Sequence, residues 1–296
     1  MASFPEAKRF EAQLGKKPFL VTVEVAPPKG TDLAEVLHII ETCGPFADAM
    51  NVTDGQSAMM RACPLAVSKV LLDHGVDPIY QLTCRDRNRI GLQADLLGAS
   101  ILGIRNILAL TGDDPKAGDH PEAKPVFDLN ANQLMAVARG LEAGKDMAGK
   151  ELTGTPHFCI GGAANPGNPK LDEEVAKLNA RVENGVKFFQ SQAIFEVEPF
   201  RKYMAQAKQV KAPILAGILL LKSAKMARYM NEHVWGIKVP ESLIERMEQA
   251  ADKKQECVKI CVELISGIKD VAGGIHLYGL GWEDLIPTIL KEARVA

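Results

Sequence analysis

A chain of 296 residues, 47% of them hydrophobic, can bury a large core, and α/β barrels of about 250 residues commonly form one unit. The formal net charge of −2 and a pI near 6.3 offer no electrostatic footprint for nucleic acid or an anionic membrane surface. The longest apolar run, 214–221, is too short to span a bilayer, and MASFPEAKRFEAQLGKK at the N-terminus lacks the continuous apolar segment of a secretory signal, so a cytoplasmic enzyme is expected.

In chain order, eight short apolar runs read as strands: FLVTVEV (19–25), ADAMNVT (47–53), PIYQLTC (78–84), NILALTG (106–112), HFCIGGA (157–163), VKFFQSQ (186–192), PILAGIL (213–219) and GIHLYGL (274–280). Each is apolar on both faces, as a buried parallel strand must be. Amphipathic stretches separate them, among them DLAEVLHIIETCG, RIGLQADLLGASILG and DEEVAKLNARVENG, and several close on a glycine that suits a helix C-terminus. An open doubly wound sheet has similar strands, but eight strand–helix units favour a closed (β/α)8 TIM barrel over 1–296. The stretch 223–271 is longer than one crossover needs and predicts two or three helices before the last strand. Two long loops, 111–130 and 161–174, follow strands and so belong to the face where barrels carry their chemistry.

The six cysteines form no CxxC pair and the six histidines no pair at ligand spacing, so no metal site is expected. Cys257 and Cys261, four apart, share a helix face and read as small core residues.

The strand ends carry, in order, Glu24, Thr53, Thr83, Asp113, Asn165, Gln192, Lys222 and Tyr278. Such a polar row binds and orients a cofactor and lends a proton donor. Glu24 interrupts an apolar strand just before Pro-Pro; partial desolvation there suits a general acid near neutral pH, and an ion pair with a nearby Lys or Arg explains it equally well. Asp113 reads either as a carboxylate facing the cavity or as the cap of a turn. CRDRN (84–88) reads as a solvated helix start with internal ion pairs. Gly161-Gly162 and GLG (279–281) lack the spacing of a dinucleotide fingerprint.

Several segments together resemble the methylenetetrahydrofolate reductase family of flavoproteins: EVAPPKG, NVTDG, HGVDPIYQLTCRDRN, GLQADLLGASILGIRNILALTGDDPKAGDHP, VFDLNANQL, FFQSQAIFEVE and GIKVPESLIERM. They run in order along nearly the whole chain, and residues 84–121 are the most specific. The resemblance is to the stand-alone bacterial type and to the reductase part of homocysteine methyltransferase fusions. It implies a TIM barrel that holds flavin and reduces 5,10-methylenetetrahydrofolate to 5-methyltetrahydrofolate. Glu24 falls on the family's general acid, and Asp113 on an aspartate that contacts flavin and pterin. By the same resemblance Thr53, Gln81, Thr83, Cys84, Thr111, Gly112, Phe127, Ala163, Asn165 and Lys170 line the cofactor. Gln192, Leu219 and Tyr278 face the substrate. Three positions depart from the pattern: Gln81 stands where many members carry His, Thr111 where some carry Arg, and Ala224 where some NADH-using members carry Phe. FAD is the form the family implies, with FMN the alternative. The electron donor is NAD(P)H or a partner subunit, in an oligomer or hetero-complex. The competing classes are a flavin-independent lyase, for which Lys222 is the candidate Schiff-base residue, and a folate-binding subunit.

Overall fold

Eight parallel strands close on themselves in chain order in the computed structural model, which describes residues 4–234 and 236–295. They are β1 (Leu20–Val25), β2 (Ala49–Val52), β3 (Pro78–Thr83), β4 (Asn106–Leu110), β5 (Cys159–Ala164), β6 (Phe188–Ala193), β7 (Ile214–Leu219) and β8 (Gly274–Tyr278). Pairing of Leu20 with Gly274 and of Val23 with Leu277 joins β8 back to β1 and completes the TIM barrel expected from the eight apolar runs.

The short α1 (Phe10–Gln13) lies under the barrel, and the outer layer consists of α2 (Ala34–Cys43), α3 (Pro64–Asp73), α4 (Arg89–Ile101), α5 (Ala131–Glu142), α6 (Leu171–Glu183), α7 (Val197–Gln206), α8 (Ala224–His233), α9 (Glu241–Gln249), α10 (Lys253–Ile268) and α11 (Ile286–Ala293). Three helices, α8 to α10, occupy the long stretch before β8. Cys257 and Cys261 are fully buried on α10, where their mutual hydrogen bond, and then burial, push the Cys261 thiol well up. No helix among the described residues is long and apolar enough to cross a membrane.

The barrel interior is layered, as the two-residue period of strands requires. Its floor gathers Leu20, Ala49, Ile79, Leu108, Cys159, Phe188 and Leu215 around Phe10, which α1 inserts from below. Phe10 meets the Phe188 ring edge-on at 5.0 Å. Gly161 leaves room for that ring: a Cβ at this position would lie 2.3 Å from it. Asp77 anchors the plug by accepting hydrogen bonds of 2.8 Å from Arg9, from the Phe10 backbone N–H and from Asn106. Above the floor the layer turns polar, with Thr22, Asn51, Gln190 and His276 all buried.

Candidate active site

Two residues above that polar layer lies the mouth, at the C-terminal ends of the strands, where barrel enzymes carry their chemistry. Glu24 on β1 points there, its side chain 13% exposed, with Oε2 3.9 Å from Nε2 of the buried His276 on β8. Its nearest ionisable partner is thus an imidazole, and no Lys or Arg pairs with it among the described residues. Tyr278 follows on the same face of β8, its ring edge-on to His276 at 4.5 Å. The Tyr278 hydroxyl donates to the Ser191 carbonyl at 3.1 Å. Burial, and then the charge of Glu24, push this phenol well up, so it stays protonated.

Gln192 reaches the mouth by a local irregularity. Gln190 pairs with Leu215 but Ala193 with Gly217, so three steps along β6 span two along β7. Such a bulge re-aims a side chain, and Gln192 is exposed while its neighbours Ser191 and Ala193 are buried. The Gly217 N–H donates to Ser191 Oγ at 2.9 Å. A Cβ on Gly217 would lie 2.6 Å from the Ser191 carbonyl oxygen, which explains glycine here. Leu219, half-buried, ends β7 beside them.

On the opposite side, Asp54 organises the ends of β2 and β3. Its Oδ2 accepts from both the backbone N–H and the hydroxyl of Thr83 at 2.9 Å, and from Arg87 at 2.7 Å. Arg87 also reaches Asp95 at 2.6 Å. Burial alone would lower the Arg87 pKa, but the Asp54 charge and hydrogen bond outweigh it and hold the guanidinium protonated. Asn88 caps α4 by accepting from the N–H groups of Ile90 and Gly91 at 3.0 Å. CRDRN is therefore a helix start with ion pairs, as read, but not a solvated one: Arg85 is buried and donates to the Gly55 carbonyl, and Arg87 turns inward to a buried carboxylate. Thr53 donates to Gln56 at 2.6 Å, and Gln81 is buried below Thr83.

The loop 111–130 folds back across this side. Phe127, with φ of +40°, donates its N–H to the Cys84 carbonyl at 3.2 Å, and the preceding Val126 donates to that of Arg85 at 2.7 Å. Gly112 has φ of +94° and packs against Thr83 and Arg85. Asp113, exposed, accepts the Ser57 N–H at 2.9 Å and so caps a turn in the loop after β2. Asp119 accepts from Lys29 and, at 2.9 Å, from the Met60 N–H, tying the loops after β1, β2 and β4 together. Between them opens a cavity of about 420 Å³ lined in part by Asp54, Met59, Arg61, Arg85 and His120.

Other expected residues lie apart from the mouth in this arrangement. The Cys84 side chain is buried in the barrel-to-helix core, and burial pushes its thiol up to about 11 against the pull of Arg87. Thr111 Oγ1 accepts the Ala131 N–H at 3.3 Å. Lys170 is exposed, with Nζ 2.7 Å from Glu173. Lys222 lies 5.6 Å over the Trp282 ring, and Ala224 is the buried first residue of α8.

The rim of the mouth carries polar side chains, among them Glu24, Thr53 and Tyr278. Gly112 and Ala163 leave its β4–β5 side without bulk. Asn165, just past β5 and 7% exposed, accepts the Gly167 N–H at 3.0 Å through Oδ1, but its Nδ2 has no partner among the described residues. A buried amide donor left unmatched costs about 1–3 kcal/mol, which a ligand acceptor would recover. Among the described residues no group of three or more His, Cys, Asp or Glu side chains is placed to hold a metal ion.

Sequence reading passed over His276, Thr22, Asn51, Gln190 and Asp54. A signal for four of them was present. TVE, NVT, QSQ and HLY each place a second polar residue two positions before the polar strand end, on the same face of an otherwise apolar strand.

A closed parallel barrel with a carboxylate, an amide and a phenol gathered at its C-terminal mouth belongs to the (β/α)8 class in which catalysis sits on that face. The family model described as methylenetetrahydrofolate reductase matches residues 9–294, and the chain belongs to that family. Among curated relatives, a probable methylenetetrahydrofolate reductase (NADPH) of Caenorhabditis elegans is 24% identical, covering 96% of this chain and 44% of its own length. Methylenetetrahydrofolate reductase 1 of Schizosaccharomyces pombe is 27% identical, covering 94% and 46%. The chain thus spans slightly under half the length of these relatives. Among solved structures, a Clostridium thermocellum protein described as binding two copies of 5-methyl-5,6,7,8-tetrahydrofolic acid superposes with a TM-score of 0.63 at 15% identity, over 95% of this chain and 96% of that one. The tryptophan synthase α-subunit of Pyrococcus furiosus gives 0.53 at 12% identity, over 94% and 96%. At these identities the likeness is one of fold.

Proposed function

We propose that this chain reduces 5,10-methylenetetrahydrofolate to 5-methyltetrahydrofolate, with flavin as cofactor and Glu24 as proton donor. Family membership supports the reaction class, and the folate ligand of the Clostridium thermocellum barrel agrees with it. The observation that carries the mechanism is the position of Glu24, a partly buried carboxyl at the barrel mouth with a buried imidazole behind it. Bound flavin, FAD by the family's habit or FMN, supplies the hydride. Around it, Thr53, Gln81, Thr83, Gly112, Ala163 and Asn165 line the mouth side that would take the ring. By the resemblance Asp113 and Phe127 would meet it from the long loop, Asp113 with the carboxylate oxygen that does not cap Ser57, while Thr111, Lys170 and the Cys84 backbone lie further out. Glu24 delivers a proton to the substrate amine, so that the methylene bridge opens and its carbon can accept hydride. Gln192 and Tyr278 offer hydrogen bonds to the pterin, and Leu219 an apolar contact.

The test is spectroscopic first. The purified protein carries a flavin absorbance, and Glu24→Gln retains both the flavin and its reduction by donor. Oxidation of that flavin by methylenetetrahydrofolate falls by roughly 100-fold or more, the usual scale for a lost general acid. A colourless protein with no affinity for added flavin, or an unimpaired Glu24→Gln variant, overturns the reading.

A second reading concerns the electron donor. By the resemblance, Ala224 stands where some NADH-using members carry an aromatic ring that can stack on nicotinamide, a contact worth about 1 kcal/mol, and a buried alanine at the start of α8 offers no such ring. This favours delivery of electrons by a partner subunit over direct reduction by NAD(P)H. Fast, saturable bleaching of the flavin by NADH or NADPH alone in a stopped-flow mixer refutes it.

A further inference from the structure

We propose that His276 is a positioning residue for the Glu24 proton donor, and that Thr22, Gln190 and Asn51 fix which imidazole nitrogen faces it. The proposal rests on the reading of Glu24 as the acid.

The argument is one of counting hydrogens. Thr22 Oγ1 lies 3.2 Å from the Ile275 carbonyl oxygen, 3.0 Å from Gln190 Nε2 and 3.0 Å from His276 Nδ1. A hydroxyl has one hydrogen and two lone pairs. The carbonyl can only accept, so all three contacts are hydrogen bonds only when the hydroxyl hydrogen goes to Ile275. The lone pairs then receive N–H from Gln190 and from His276 Nδ1. Gln190 is itself locked: it donates to Asn51 Oδ1 at 2.9 Å and accepts from Asn51 Nδ2 at 2.6 Å. If both amides turned over together, the Thr22 hydrogen would go to the Gln190 carbonyl oxygen, and Nδ1 would still have to supply the proton of its own bond. The arrangement that satisfies every one of these contacts therefore has hydrogen on Nδ1 and a bare Nε2 toward Glu24.

A bare imidazole nitrogen is a partner for a carboxylic acid O–H and a poor neighbour for a carboxylate oxygen. It therefore orients the Glu24 hydroxyl. The separation of 3.9 Å exceeds hydrogen-bond length, so the acid is backed by the ring and remains free to turn toward substrate. In the reaction the O–H bond of Glu24 breaks, its proton passes to the substrate nitrogen, and water at the mouth restores it. His276 keeps its Nδ1 hydrogen throughout. The ionisable groups facing the ring are Glu24 on β1 and Tyr278 on β8, the latter held neutral. From β1, β6 and β2 come neutral Thr22, Gln190 and Asn51, and from β7 Gly217 in register. A purely structural role would require only that the ring fill its layer; it would not require a bare nitrogen aimed at the mouth.

Nitrogen-15 NMR of the flavin-free protein with labelled histidine tests this directly, the His276 signals being assigned by their loss in His276→Asn. The expected result is hydrogen on Nδ1 and a bare Nε2, with Thr22→Val disturbing that preference. Hydrogen on Nε2 overturns the proposal. In the loaded enzyme, His276→Asn keeps an amide donor for Thr22 and removes the nitrogen facing Glu24. The maximal rate of the folate half-reaction should drop by about 100-fold, the scale for a misplaced reacting group, with KM for folate and flavin reduction by donor as internal controls. The loss should not add to that of Glu24→Gln in the double variant. An additive loss, or an undiminished rate in His276→Asn beside a crippled Glu24→Gln, refutes this inference alone. An unimpaired Glu24→Gln refutes the underlying reading instead.

Discussion

Asp54 offers the sharpest test of how the mouth is held together. Its Oδ2 receives three donors, the Thr83 N–H and hydroxyl at 2.9 Å and Arg87 at 2.7 Å, while Oδ1 takes a fourth at 3.3 Å. The paired side chains of Arg87 and Asp54 are 18% and 7% exposed. Breaking a buried ion pair by deleting one partner costs about 3–5 kcal/mol because the other charge is stranded. Here Arg87 keeps Asp95 at 2.6 Å, which offsets part of that. Two donors of Thr83 are left unmatched, at about 1–3 kcal/mol each when buried. Asp54→Ala should therefore destabilise by about 4 kcal/mol, or about 8 °C in melting temperature for a chain of this size. Asp54→Asn can keep an oxygen in the Oδ2 position and loses only the charge, so it should cost about half as much. Urea titration of the wild type and both variants measures this, and absorbance of the purified proteins measures retained flavin. Asp54→Ala within about 0.5 kcal/mol of wild type would mean that the Thr83 contacts carry no weight and the reasoning fails.

Two further outcomes follow from the same geometry. Gly217→Ala places a Cβ 2.6 Å from the Ser191 carbonyl and 2.8 Å from that of Gln192; overpacking of this kind costs about 1–3 kcal/mol, and the shifted bulge should raise KM for folate, so an unchanged KM and melting temperature refute the account of the bulge. Glu11, on α1, receives His157 at 2.7 Å and Lys187 at 3.2 Å. Burial alone would raise its pKa, but these partners hold it below the ordinary 4.5. A depressed carboxylate contributes stability that is complete above its unfolded value and lost as pH falls through the folded one. The stability gap between wild type and Glu11→Gln should accordingly narrow as pH drops below 4.5; a gap that holds or widens contradicts the assignment.

The barrel was legible in the sequence because a parallel strand buried on both faces must be a short apolar run, and eight such runs alternate with amphipathic stretches. The polar row at the mouth followed by the same logic, since strand ends are set by where the apolar run stops. Glu24, Gln192 and Tyr278 come together there, although Gln192 needed a bulge that no local pattern announces. Asp113 was ambiguous in sequence and the fold shows its carboxylate capping Ser57, a residue of another loop. Lys170, in a strand-following loop, turns out to pair with its helical neighbour Glu173. The interior network lay beyond local reading altogether. Gln190 bonds to Thr22 and Asn51, 168 and 139 residues away in sequence, and His276 meets Thr22 across 254. A two-residue period tells which side of a strand a residue occupies, but only closure of the sheet brings β6 within a hydrogen bond of β1 and β2, and with it decides which nitrogen of His276 looks at Glu24.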